Sequence, residues 1–206
     1  MRLLICAKAV IFSMLIMLHL PLFAEQGQAT YQLCSACHGA QGEGNSALNA
    51  PVLAGQFDWY LQRQLQHFAA DLRADDTRDV NGKMMVPFAK QLTDPEPTKQ
   101  LLNYINSFEP VSFKGSLKGD LKNGSRYYQA KCGACHGGSA QGNSAFNAPK
   151  LAGQDPQYLF LQIANYQQGI RGTHQADKYG RQMAMMANTV SDKELQDIVF
   201  FITEQQ

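Results

Sequence analysis

The chain is poor in cysteine, in histidine and in net charge, and it lacks a long apolar run. Its 18 Lys and Arg against 17 Asp and Glu give a formal charge of +1, without the basic excess of a nucleic-acid binder, so nucleic acid is excluded as a partner. The one apolar run, Ala9 to Leu20, is interrupted by Ser13 and His19 and is shorter than the roughly 20 residues a spanning helix needs. With Arg2 and Lys8 as its positive start, it reads as a secretory signal over residues 1–24, cut after Ala24. Leu22 stands where a small residue is preferred, so a retained anchor with peripheral membrane association is the competing reading. No cysteine follows the run where lipid attachment would require one.

Cys6 lies inside that segment, and the other four cysteines stand in two short stretches, Cys34-Ser35-Ala36-Cys37-His38 and Cys132-Gly133-Ala134-Cys135-His136. Cys-x-x-Cys-His is the attachment pattern of a c-type haem. Two thiols one helical turn apart can each add to a vinyl group of the same porphyrin, and the adjacent imidazole is then carried under the iron. A dithiol redox pair would want a strand-helix context and a zinc site would want further Cys or His ligands. Neither requirement is met twice, so two covalently attached haem c groups are expected. Paired cysteines in an exported chain ordinarily suggest disulfides; here the porphyrins claim all four, and the mature chain is expected in the periplasm.

Sliding the chain by 98 residues superposes the two stretches and makes 19 of the 31 positions from Cys34 to Gln64 identical. Such self-similarity marks a duplicated domain. The expected division is a first domain over 25–108, a linker over 109–121 containing Pro110, Gly115 and Gly119, and a second domain over 122–206. The first carries 6 Lys and Arg against 9 Asp and Glu, while residues 109–206 carry 10 against 8. Helical signals predict all-α domains. A short helix enters each Cys-x-x-Cys-His; a second covers 57–72 and 156–168; a third covers 95–108 and 192–204, with Leu101, Leu102 and Ile105 answering Ile198, Val199 and Ile202 at helical spacing. Asp94 and Ser191 read as caps. Gln26 to Thr30 matches Gly124 to Tyr128 poorly, which leaves the first helix of the first domain uncertain.

The same offset selects candidate distal ligands. Of Met84, Met85, Met183, Met185 and Met186, only Met85 and Met183 are Met in both copies. Each stands eight residues before Thr93 or Ser191 and follows Gly82 or Gly180, in what reads as a loop able to reach the iron; the alternative for a Met is core filler. His67 and His174 align with Asn165 and Asp76, so a second histidine ligand would have to be asymmetric. The carbonyls of Pro51 and Pro149 are candidates to accept from the proximal His38 and His136 and fix their tautomer. Tyr60 with Tyr158, Gln64 with Gln162 and Arg73 with Arg171 also align. They are candidates for binding haem propionates, against packed Tyr and solvated Arg.

The doubled Cys-x-x-Cys-His, the Asn-Ala-Pro-x-Leu-Ala-Gly-Gln run, the Tyr-Leu-x-x-Gln helix and the late Met followed by Thr-Asp or Ser-Asp resemble the dihaem cytochrome c4 family over nearly the whole mature chain. The resemblance implies two tandem class I cytochrome c domains, with Cys34, Cys37, His38 and Met85 at one haem and Cys132, Cys135, His136 and Met183 at the other. It also implies a non-enzymatic carrier passing electrons between a membrane quinol-oxidising complex and terminal oxidases or other periplasmic acceptors. An electron-accepting subunit of a larger flavocytochrome or quinoprotein dehydrogenase would use much the same residues. A dihaem enzyme would need an open coordination position.

Overall fold

A computed structural model describes residues 20–111 and 117–205, with side chains from residue 25 onward. The expected signal segment up to residue 19 and linker residues 112–116 lie outside the described residues. The described residues form nine α-helices: α1 (Leu20–His38), α2 (Asp58–Ala69), α3 (Val80–Gln91), α4 (Pro95–Asn106), α5 (Leu121–Lys131), α6 (Gly133–His136), α7 (Pro156–Gln167), α8 (Lys178–Ala187) and α9 (Asp192–Thr203). Strand character among the described residues is limited to two isolated bridges, Asn45 with Ala50 and Asn143 with Ala148.

Local chemistry starts most of these helices. The side chains of Asp79, Asp94, Asp120, Asp155 and Asp177 each accept from a backbone N–H in the first turn that follows, satisfying a donor that the helix itself leaves free. Ser191 and Glu194 close a reciprocal capping box on α9. Pro95 and Pro156 occupy first helical positions, where the missing N–H costs nothing.

In each domain the entering helix crosses the last one: α1 packs on α4, and α5 on α9. Glycine permits the crossing. A Cβ on Gly27 would meet the Gln100 carbonyl oxygen, and one on Gly124 would meet that of Asp197. Around these contacts Tyr31, Leu101, Ile105 and Phe108 form one core, and Tyr128, Leu195, Ile198, Val199, Phe201 and Ile202 the other.

The poorly matching first helix is an error of register rather than of structure. Gly27 answers Gly124 and Tyr31 answers Tyr128, an offset of 97, whereas Cys34 answers Cys132 at 98. The second domain has one extra residue between its Tyr and its first Cys. The α4 and α9 helices return to 97, with caps Asp94 and Ser191 as equivalents. The extra residue has a local effect: α1 runs unbroken through His38, while the second domain breaks at Cys132 (φ −122°) and restarts as α6.

A second correction concerns the segments carrying Met85 and Met183. The expected loops are helices α3 and α8. Asn81, Gly82 and Pro87 disguise α3 and Gly180 disguises α8, because Gly and Pro weaken helix interiors. Buried Asp79 and Asp177 compensate by capping Gly82 and Gly180 at 2.9 and 2.8 Å, in contacts so close that no Cβ would fit on either glycine.

Candidate functional site

In the first domain, α1 delivers Cys34, Cys37 and His38 to the wall of a cleft open to solvent, with about 1480 Å³ of empty space. The cleft separates two apolar clusters: one around Leu101 and Ile105, the other formed by Phe68, Ala74 and Ala89 with Met85 packed against it. Met84 and Met85 both line the cleft, Met84 exposed and Met85 half-buried. In the second domain Met183 holds the position equivalent to Met85 and is likewise half-buried, while Met185 and Met186 are exposed.

Both Cys-x-x-Cys-His histidines are buried, and each Nδ1 donates to a proline carbonyl 2.9 Å away, His38 to Pro51 and His136 to Pro149. Burial lowers the pKa of both imidazoles, with the proline hydrogen bonds opposing it. With Nδ1 engaged as donor, Nε2 is the nitrogen left with a free lone pair. The rings are braced further by Tyr31 and Tyr128, whose hydroxyls donate to the carbonyls of Gly39 and Gly137 at 2.7 and 2.8 Å. Cys34, Cys37, Cys132 and Cys135 form no disulfide among the described residues, which leaves all four sulfurs for thioether bonds.

The proline loops also meet each other. Gln56 donates from Nε2 to the Lys150 carbonyl at 2.9 Å and accepts from the Lys150 N–H at 3.2 Å. Gln154 does the same to Val52, at 3.1 and 2.8 Å. Val52 and Lys150 directly follow Pro51 and Pro149, so each domain grips the other one residue past the carbonyl that holds a histidine. The two Leu-Ala-Gly-Gln runs carried this signal, but their role across the domains was not read from the sequence.

Arg73, Arg171, Tyr60, Tyr158, Gln64 and Gln162 converge at the centre of the same interface. Arg73 donates to Gln64 at 2.7 Å and across to Tyr158 and Gln162, both at 3.1 Å. Arg171 donates to Gln162 at 2.6 Å and back to Gln64 at 2.9 Å, with Tyr60 at 3.5 Å. Burial alone would raise the Tyr158 hydroxyl, but the two guanidiniums hold it below the ordinary tyrosine range. Both arginines are 7% exposed, and every one of these acceptors is neutral.

Such a site is short of anions. Neither guanidinium is ion-paired among the described residues. Desolvating two cations without a paired carboxylate is costly, and the Nε atoms of Arg73 and Arg171 are buried without a hydrogen-bond partner among the described residues. Propionate carboxylates would supply the missing negative charge, and the gap between the two apolar clusters suits a flat porphyrin, so these residues fit haem. Of the other two described histidines, neither lines the cleft, although His67 borders the arginine cluster. His67 Nδ1 is 3.7 Å from Asp177, and His174 accepts from the Ala176 N–H at 3.2 Å.

The sequence model of the family described as "Cytochrome c" matches this chain twice, at residues 24–109 and 121–206. A thiosulfate dehydrogenase electron acceptor of Stutzerimonas stutzeri is 30% identical over 178 residues, 80% of this chain and 75% of that protein. Cytochrome c4 of Azotobacter vinelandii is 28% identical over 190 residues, 87% of each. The crystal structure of reduced recombinant cytochrome c4 from Pseudomonas stutzeri superposes with a TM-score of 0.69 at 26% identity, over 89% of this chain and 98% of that one. With two haem-c-binding domains in tandem, the chain belongs to the cytochrome c family and, within it, to the dihaem cytochrome c4 proteins.

Proposed function

We propose that this dihaem electron-transfer protein works in the periplasm as a mobile carrier between a membrane quinol-oxidising complex and terminal oxidases or other periplasmic acceptors. In this reading residues 1–24 are removed on export, 25–108 and 122–206 are the two redox domains, and 109–121 link them. Cys34 and Cys37 hold one haem and Cys132 and Cys135 the other; His38 and His136 are proximal ligands, and Met85 and Met183 distal ones. Haem iron supplies one-electron chemistry, and its Met/His ligation raises the potential. The protein's own part is to bind, orient and shield. Pro51 and Pro149 hold the imidazoles as neutral ligands, Arg73 and Arg171 neutralise propionates together with Tyr60 and Tyr158, and the apolar clusters exclude water.

The observation that supports the proposal is the pairing of the Pro51 and Pro149 loops across one interface through Gln56 and Gln154. Redox titration of the purified protein, combined with reduction by quinol-oxidising membranes, tests it. Two one-electron steps and rapid reduction by the membranes are expected. A protein that membranes leave oxidised would overturn the carrier reading.

The kinship with a protein named as the electron acceptor of a thiosulfate dehydrogenase favours a second reading, a subunit that accepts electrons inside a larger dehydrogenase. Isolation at fixed stoichiometry with a catalytic partner would select that reading over the mobile carrier.

A further inference from the structure

We infer that Arg63, a residue of the first domain, is a positioning residue for the haem site of the second domain and makes the two sites unequal. Arg63 donates from Nη1 to the side-chain oxygen of Asn147 at 3.0 Å and from Nη2 to its backbone carbonyl at 2.9 Å. Asn147 is held in the left-handed region, φ +54°. It stands two residues before Pro149, the acceptor for His136. The guanidinium also lies 4.8 Å from the centre of the Tyr179 ring, with Trp59 and Tyr60 of its own domain at 5.1 and 5.6 Å. Tyr179 is the second residue of α8, and Met183 follows one turn later on that helix.

One side chain therefore joins the loop on the histidine side of the second site to the helix on its methionine side. The repeat shows that the first site has no such clamp. The counterparts of Arg63, Asn147 and Tyr179 at the 98-residue offset are Leu161, Asn49 and Asn81. A bidentate grip on a carbonyl and an amide oxygen orients the loop more tightly than a lysine would. Arg63 is in no ion pair among the described residues. A positive charge beside an iron site favours the less positive, reduced form, so Arg63 both steadies the second site and biases electrons toward it.

The inference rests on the assignment of His136 and Met183 as ligands, and its test separates the two. In holoprotein, the two potentials are measured by titration, and hyperfine-shifted proton resonances of the oxidised protein report each haem's axial geometry. Met183→Ala identifies which resonances belong to the second haem. Arg63→Leu, the residue found at the counterpart position, should shift those resonances alone and move the electron-sharing equilibrium three- to tenfold toward the first haem, at most about 59 mV for one electron. Arg63→Lys should restore the sharing equilibrium through its charge while leaving the resonances shifted, because the bidentate grip is lost. If Met183→Ala alters one haem and Arg63→Leu leaves that haem's resonances and potential unchanged, or moves both haems equally, the inference is wrong. If Met183→Ala alters neither haem, the ligand assignment fails, and the inference with it.

Discussion

The two domains are copies that differ by one residue at the place where it matters most for helix geometry. Between Tyr31 and Cys34 there are two residues; between Tyr128 and Cys132 there are three. An extra residue would turn a continuous helix by roughly 100°, and would carry the cysteines off the cleft. The second domain avoids this by breaking its helix at Cys132 and restarting it as α6. Both domains still close the same bond, from the Tyr hydroxyl to the glycine carbonyl after the histidine. The site is thus fixed by the loop and proline contacts around the histidine, and the entering helix adapts to it.

The largest expected effect comes from removing the cofactor's anchor in one copy. Replacing Cys132 and Cys135 together by Ala should leave a protein of one haem by mass and half the Soret absorbance, with the second domain's helical signal reduced. Two haems in that variant would refute the thioether assignment. Met85→Ala should lower one potential and allow carbon monoxide to bind one reduced haem per chain, with Met183→Ala doing the same at the other. An unmodified protein that already binds carbon monoxide stoichiometrically would contradict both assignments.

A smaller effect probes the shared helix crossing. Gly27→Ala and Gly124→Ala each force a Cβ against a backbone carbonyl, and each should cost about 1–3 kcal/mol by overpacking, read as a lowered thermal midpoint. Equal losses would show that the crossing is the same device in both copies. The smallest effect concerns His67, which has no histidine counterpart in the second domain. Burial lowers its pKa, and Arg63, Arg171 and Arg73 add to that, with Asp177 opposing. An imidazole whose folded pKa lies below its unfolded value of about 6.5 contributes stability that is present above that pH and is lost as pH falls from there through the folded pKa. Thermal melts should therefore show His67→Asn gaining relative to the native protein as the solution is acidified below about pH 6.5. A constant difference between the two across that range would contradict it.

Much of this was legible because the repeat acts as an internal alignment. It isolated Cys34, His38, Pro51 and their partners, and the proline carbonyls do accept from the histidines. The caps Asp94 and Ser191 were visible from side-chain chemistry alone. What escaped was non-local or disguised. Helix α3 contains Asn81, Gly82 and Pro87, each a signal of loop, and its start depends on buried Asp79. The one-residue shift of α1 against α5 was masked because the matching Tyr31 and Tyr128 lie outside the motif. The crossed arginines could be named as aligned residues, but that each reaches into the other domain depends on how the copies pack.

The reciprocal grip of Gln56 and Gln154 is an isologous contact: the same patch on each half meets its own image, as in a two-fold symmetric homodimer. Tethering such halves on one chain replaces a bimolecular encounter by an intramolecular one, at effective concentrations of about the millimolar range for a short connection. Dilution then ceases to matter to the pairing of the two irons. Once both halves are written separately into one sequence, each can also vary without its image, so substitutions such as Arg63 opposite Leu161 become accessible only after the tether exists.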